Sequence, residues 1–277
     1  MNQSLVIQNE GLKERPIVAI HGSASNGRLW DGLVERCAGG RILLAPDLQG
    51  YGKTDRKDLN PNATLTERAV PVLNSILSLE QDIHLVAHSF GASVALEILR
   101  VIPKNVCSLT FYEPVMPALL RDSGQTRDME LLGDLLALSD IVRGTTPQVG
   151  METFVNFWSE PNAWDHIPEA TRCTLAALSP VVYQDFIEAY FNVVPDTFSQ
   201  LKFLGPVTLL LGGRTNDHAR RMTDILFQQF PGAVIDTFAD MGHMGPLTHS
   251  NEVYSGIMKH IERVEALQLL ELQTVTN

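Results

Sequence analysis

A serine between a strand and a helix can be set up as a nucleophile, and such a junction occurs in Leu85-Val86-Ala87-His88-Ser89-Phe90-Gly91-Ala92. The apolar run up to His88 reads as strand, and the residues after Ser89 read as helix. A turn this tight strains the serine backbone and needs small residues two positions to either side. Ala87 and Gly91 meet that need. The hydroxyl then stands above the sheet, with the first N–H groups of the new helix directed at the same spot. That arrangement suits a nucleophile whose attack creates an oxyanion. The plainer role for Ser89 is a helix N-cap.

A serine is inert without a base. Of the eight histidines, His243 has the most telling surroundings: Phe238-Ala239-Asp240-Met241-Gly242-His243-Met244-Gly245-Pro246. Two glycines and a proline describe a sharp loop just after the last strand, leaving the imidazole free to reach back over the sheet edge. His249 is the fallback base. His88 is expected to point away, because adjacent side chains diverge at such a turn.

The elements that would bring Ser89 and His243 together can be read from the apolar pattern. Strand-like runs occur at Pro16–His21, Arg41–Pro46, Ile83–Ser89, Ser108–Glu113, Pro206–Gly213 and Ala233–Ala239. Several are continuously apolar, as in strands covered on both faces. Helical patterns lie between and after them at Gly27–Ala38, Thr64–Glu80, Ser89–Val101, Asp217–Phe230 and Asn251–Leu270. The alternation predicts an α/β fold with a mostly parallel, doubly wound sheet. It breaks once, from Val115 to Phe203, where the pattern is helical throughout and punctuated by prolines. Residues 115–203 are therefore expected to form a helical lid over a core made of 1–114 and 204–277, at the carboxyl ends of the strands. The tail after Gln268 is polar and expected to fray.

Taken together, these features resemble the α/β-hydrolase superfamily over nearly the whole chain, with Ser early and His late in the family's order. On that resemblance, Ile20-His21-Gly22-Ser23-Ala24 looks like the family's oxyanion loop, and the backbone N–H groups of Ser23 and Phe90 would form the oxyanion hole. Ala45-Pro46-Asp47-Leu48-Gln49-Gly50-Tyr51-Gly52 looks like a structural turn of the family, and the helical insertion falls where members carry their cap domain. The third member of a catalytic triad is less regular. The family usually places an Asp shortly after the Gly that follows the post-cap strand, but this chain has Thr215 and Asn216 there, with Asp217 one or two residues late. The alternative is Glu113, at the end of the preceding strand, where some members (haloalkane dehalogenases among them) draw their acid. Glu113 is favoured and Asp217 stays open; either could fix the His243 tautomer.

A serine rather than an aspartate at 89 points to acyl transfer, with a carboxylesterase as the default activity and no cofactor. A carbon–carbon bond hydrolase of the same fold and a non-catalytic binding protein are the alternatives. Trp158 and Trp164, in the insertion, are candidates for the wall of an apolar substrate site.

Competing chemistries are poorly supported. Gly52-Lys53-Thr54 ends like a phosphate-binding loop, but the glycine needed five residues earlier is Asp47. Asp55 spoils a dinucleotide fingerprint after Gly50 and Gly52, and no metal-ligand spacing is present. With 21 Lys and Arg against 32 Asp and Glu, the chain of 277 residues carries a net charge of −11 and has no basic cluster, so nucleic acid is not an expected partner. No apolar stretch approaches the ~18 residues needed to span a bilayer, and Met1–Glu10 lacks the basic start of a secretory signal. Three widely spaced cysteines suit a reducing compartment. The expected picture is a cytoplasmic protein whose partner is a small-molecule substrate, with no membrane. The last helix, bearing Ile257, Ile261, Val264, Leu267 and Leu270, would pack on the sheet or, at its end, on a second subunit of a homo-oligomer.

Overall fold

The structure, a computed structural model, describes residues 14–37, 40–55, 60–199 and 201–275, with side chains described to 270. The N-terminal ten residues and the Ala38 end of the first predicted helix lie outside the described residues.

Six strands form the sheet: β1 (Ile17–Ile20), β2 (Leu43–Leu44), β3 (Ile83–His88), β4 (Val106–Tyr112), β5 (Val207–Gly212) and β6 (Val234–Phe238). They pair in the order β2-β1-β3-β4-β5-β6, every pair parallel. Helices α1 (Asp31–Arg36), α2 (Leu65–Leu77) and α3 (Gly91–Val101) connect the first four strands. Five more, α4 (Pro117–Ser123), α5 (Thr126–Gly144), α6 (Pro147–Trp158), α7 (Glu169–Ala176) and α8 (Ser179–Phe186), lie between β4 and β5. Helix α9 (Asp217–Gln229) joins β5 to β6, and α10 (Gly245–Thr248) and α11 (Ser250–Val275) close the chain. Among the described residues, no strand interrupts the helical stretch between β4 and β5.

Period-two alternation divides the core between two faces. Val18, Ile20, Leu85, Ala87, Leu109 and Leu209 pack toward α2, α3 and α9. Ile17, Ala19, Val86 and Leu210 face Trp30, Leu33, Val253, Ile257 and Ile261 on the other side. The Val, Leu and Ile side chains buried to this extent contribute roughly 1.5–3 kcal/mol each. Strand β2 is much shorter than the predicted Arg41–Pro46 run. Pro46 has no N–H to give a ladder, and Arg41 turns aside to pair with Glu265 at 2.7 Å. The chain stays helical to Val275 rather than fraying after Gln268. Within α11, Ile257, Ile261 and Val264 are buried on the sheet, whereas Leu267 and Leu270 are exposed.

The strand order has a functional consequence. The chain leaves β1 for β2 at the edge and then returns to β3 on the other side of β1. The connections after β1 and β3 therefore part, and ligands bind open α/β sheets in the crevice this creates. Ser23 follows β1 and Ser89 follows β3.

Candidate active site

Ser89 sits at the turn from β3 into α3 with φ of 55°, in the left-handed region that a side chain other than Gly adopts only under constraint. Its N–H donates to the Tyr112 carbonyl at 3.2 Å, and its carbonyl accepts from Ala92 and Val115. Gly91 makes the turn possible: a Cβ there would meet the Ile20 and His21 carbonyl oxygens at 2.6 and 2.5 Å. Three of the six non-glycine residues with positive φ among those described belong to this region: Ala24 after β1, Ser89 after β3 and Glu113 after β4. Strain is concentrated at the carboxyl edge of the sheet.

His243 comes from the loop after β6, which is tightened by the Gly245 N–H donating to the Gly242 carbonyl at 3.0 Å. Its Nε2 lies 3.0 Å from Ser89 Oγ, and its Nδ1 lies 2.8 Å from Glu113 Oε2. The imidazole is enclosed, with the Trp158 ring centroid 4.6 Å away and that of His88 5.0 Å away. His88 is thus packed against the site, contrary to the expectation that it would point away. Its Nε2 bonds the His243 carbonyl at 2.9 Å, while burial and then the neighbouring His243 push its pKa well down. A neutral ring donating from Nε2 fits that contact. His249 instead bonds the Thr248 hydroxyl.

Glu113 is fully buried and held on three sides. The Gly212 N–H donates to Oε1 at 2.8 Å, the Thr215 hydroxyl donates to Oε2 at 2.5 Å, and His243 shares Oε2. Thr215, where the family pattern would have the acid, therefore steadies a carboxylate from the adjacent strand. Asp217 is not brought to His243: it begins α9, is two-thirds exposed and pairs at 3.4 Å with Arg127.

A small cavity adjoins Ser89, and Ser23, Phe90, Val115, Phe154, Trp158 and Asp185 are among its lining residues. Its volume is about 20 Å³, room for little more than a water. Among the described residues, the N–H groups of Ser23 and Phe90 have no acceptor within the protein. Trp158 stands in the cavity wall; Trp164 does not. It lies with Leu138, Val142, Met151, Val182 and Phe186 in a core formed by the insertion itself.

A sequence profile described as "Alpha/beta hydrolase family" matches residues 17–255. This chain belongs to that family. A haloalkane dehalogenase from Agrobacterium fabrum is 33% identical to this hydrolase-family chain over 101 residues, covering 36% of this chain and 33% of that protein. The match thus spans about a third of the length of that curated relative. An esterase from Exiguobacterium antarcticum superposes with a TM-score of 0.71 at 18% identity, over 94% of this chain and 98% of that one. The enol-lactonase from Burkholderia xenovorans LB400 gives 0.67 at 13% identity, over 94% and 96%. At these identities the structural likeness is one of fold.

Sequence reasoning about this hydrolase-family chain missed Asp185. It occupies the buried face of α8, in the apolar run Val181-Val182-Tyr183-Gln184-Asp185-Phe186. A carboxylate at helical spacing among buried residues is the signal that could have exposed it. Burial, more than any neighbour, pushes its pKa up to about 7. Arg68 is the nearby cation, 3.1 Å from Asp185 Oδ1 and 2.6 Å from Glu188 Oε2. Arg68→Ala would leave two buried carboxylates without a cation, a loss of about 3–5 kcal/mol. Urea denaturation at neutral pH should show the midpoint falling accordingly, while Arg28→Ala, at an exposed pair, leaves it in place.

Proposed function

We propose that this chain is a serine hydrolase of carboxylesterase type, cleaving small or medium, largely apolar ester-like substrates through an acyl-enzyme on Ser89. The observation that carries the reading is the relay from Ser89 Oγ through His243 to Glu113, at 3.0 and 2.8 Å. His243 Nε2 takes the hydroxyl proton as Ser89 Oγ attacks the acyl carbon, and Glu113 stabilises the imidazolium. The oxyanion is met by the N–H groups of Ser23 and Phe90. His243 then protonates the leaving oxygen, and a water deprotonated by the same nitrogen releases the acid and regenerates Ser89. Residues 115–203 act as the cap, and the cytoplasm, where the cysteines stay reduced, is the proposed location.

The nucleophile argues against the activity named for the haloalkane dehalogenase relative. Halide displacement by a serine would leave an ether with no carbonyl for water to attack, so the enzyme would stop after one turnover. An ester or lactone substrate avoids that dead end, and the names of the esterase and enol-lactonase neighbours fit.

The tight, largely apolar cavity beside Ser89 sets a size expectation. Across a nitrophenyl ester series, kcat/KM for acetate and butyrate should exceed that for decanoate by roughly tenfold or more, since each misfit methylene costs on the order of 1 kcal/mol. A flat profile, or none of the esters being hydrolysed, would count against the reading.

A further inference from the structure

We propose that Asp185 is a positioning residue: reaching down from the helical insertion, it holds the Ser23 side chain and thereby aims the Ser23 N–H at the oxyanion. The inference rests on the hydrolase reading above. Three other segments converge on this one carboxylate. Asp185 belongs to α8, Ser23 follows β1, Tyr51 lies in the turn after β2, and Arg68 belongs to α2. The hydroxyls of Ser23 and Tyr51 both donate to Asp185 Oδ2 at 2.5 Å, and Arg68 donates to Oδ1 at 3.1 Å. Arg68 is itself fixed by a two-pronged contact with Glu188 and by the Gln49 carbonyl. Asp185, Arg68, Glu188 and Tyr51 are all buried, so these bonds are shielded from water.

The loop that receives this support needs it. Ser23 lies beyond the last paired residue of β1, and the next residue, Ala24, has φ of 55°. Neither a strand ladder nor a helix therefore fixes the Ser23 peptide, and its side-chain bond crosses to the insertion. An oxyanion donor works by being aimed before the charge develops, and a small misplacement weakens it without affecting ground-state binding. The insertion thus completes the oxyanion hole when it is seated as in this structure.

The test is a double-mutant cycle with nitrophenyl butyrate. Ser23→Ala keeps the N–H and removes the tether, while Tyr51 still donates to Asp185 Oδ2 and Arg68 to Oδ1. Asp185→Asn keeps the volume and weakens the tether from the other end. Each is expected to lower kcat by about tenfold, less than the 10²–10³ for losing a donor outright, with KM changed by less than about twofold. The double variant should be no slower than the slower single, because both changes break the same link. Ser23→Ala should melt close to the wild type, so it tests the link even if Asp185→Asn folds poorly. Wild-type kcat in Ser23→Ala, or losses that multiply in the double variant, would overturn the inference alone. A wild-type protein without turnover would overturn the hydrolase reading and this inference with it.

Discussion

Ser89→Ala is expected to lower kcat on a nitrophenyl ester by about 10⁴-fold or more, the scale seen when a triad nucleophile is removed. The variant keeps the cavity, the N–H groups of Ser23 and Phe90, and the His243–Glu113 pair. Whatever rate survives reports binding and oxyanion stabilisation alone. The fold should survive too. Residue 89 is held at its positive φ by backbone bonds to Tyr112, Ala92 and Val115, none of which uses the hydroxyl. The N-cap of α3 is Phe90, with no side-chain capping bond, so the N-cap reading of Ser89 falls away. A circular dichroism spectrum and melting midpoint like those of the wild type, with turnover lost, then separate a chemical role from a structural one. Unchanged turnover would assign the ester cleavage to another group.

Glu113→Gln should cost about 10³–10⁴ in kcat, through the tautomer of His243 rather than through any contact with substrate. In the native site the Gly212 N–H donates to Oε1, while Thr215 and His243 share Oε2. A glutamine would keep its carbonyl toward the Gly212 N–H and turn its NH₂ toward His243. Nδ1 must then accept rather than donate, the ring proton moves to Nε2, and the nitrogen facing Ser89 can no longer take its proton. Asp217→Asn is the matched control: the carboxylate is largely exposed, pairs with Arg127 at 3.4 Å, and should leave kcat within about twofold. A larger loss in Asp217→Asn than in Glu113→Gln would reverse the assignment.

Much of the architecture is written in local pattern, because a strand buried on both faces is mostly apolar and a helix amphipathic. Ile83–His88 and Val207–Gly212 could be read for that reason. The shortening of β2 could not, since it depends on Arg41 finding Glu265 across more than 200 residues of sequence. The choice between Glu113 and Asp217 lay beyond spacing as well. Both follow strands that are neighbours in the sheet, and what separates them is the left-handed turn at Glu113 and the exposure of Asp217. The two tryptophans make the same point about packing. Periodicity marks Trp158 and Trp164 as buried, but not which of two apolar environments receives each. One faces the His243 ring, and the other fills the core of the insertion. Asp185 was hidden because its partners come from three distant segments that converge only when the insertion sits on the sheet.

The most direct measurement is mass-spectrometric mapping of the protein after treatment with a fluorophosphonate, which phosphonylates a serine only when a neighbouring base has activated it. The expected result is one adduct per chain, on the peptide containing residue 89, formed slowly or not at all in His243→Ala. An unmodified protein, or an adduct on any other residue, would contradict the assignment of Ser89 as an activated nucleophile.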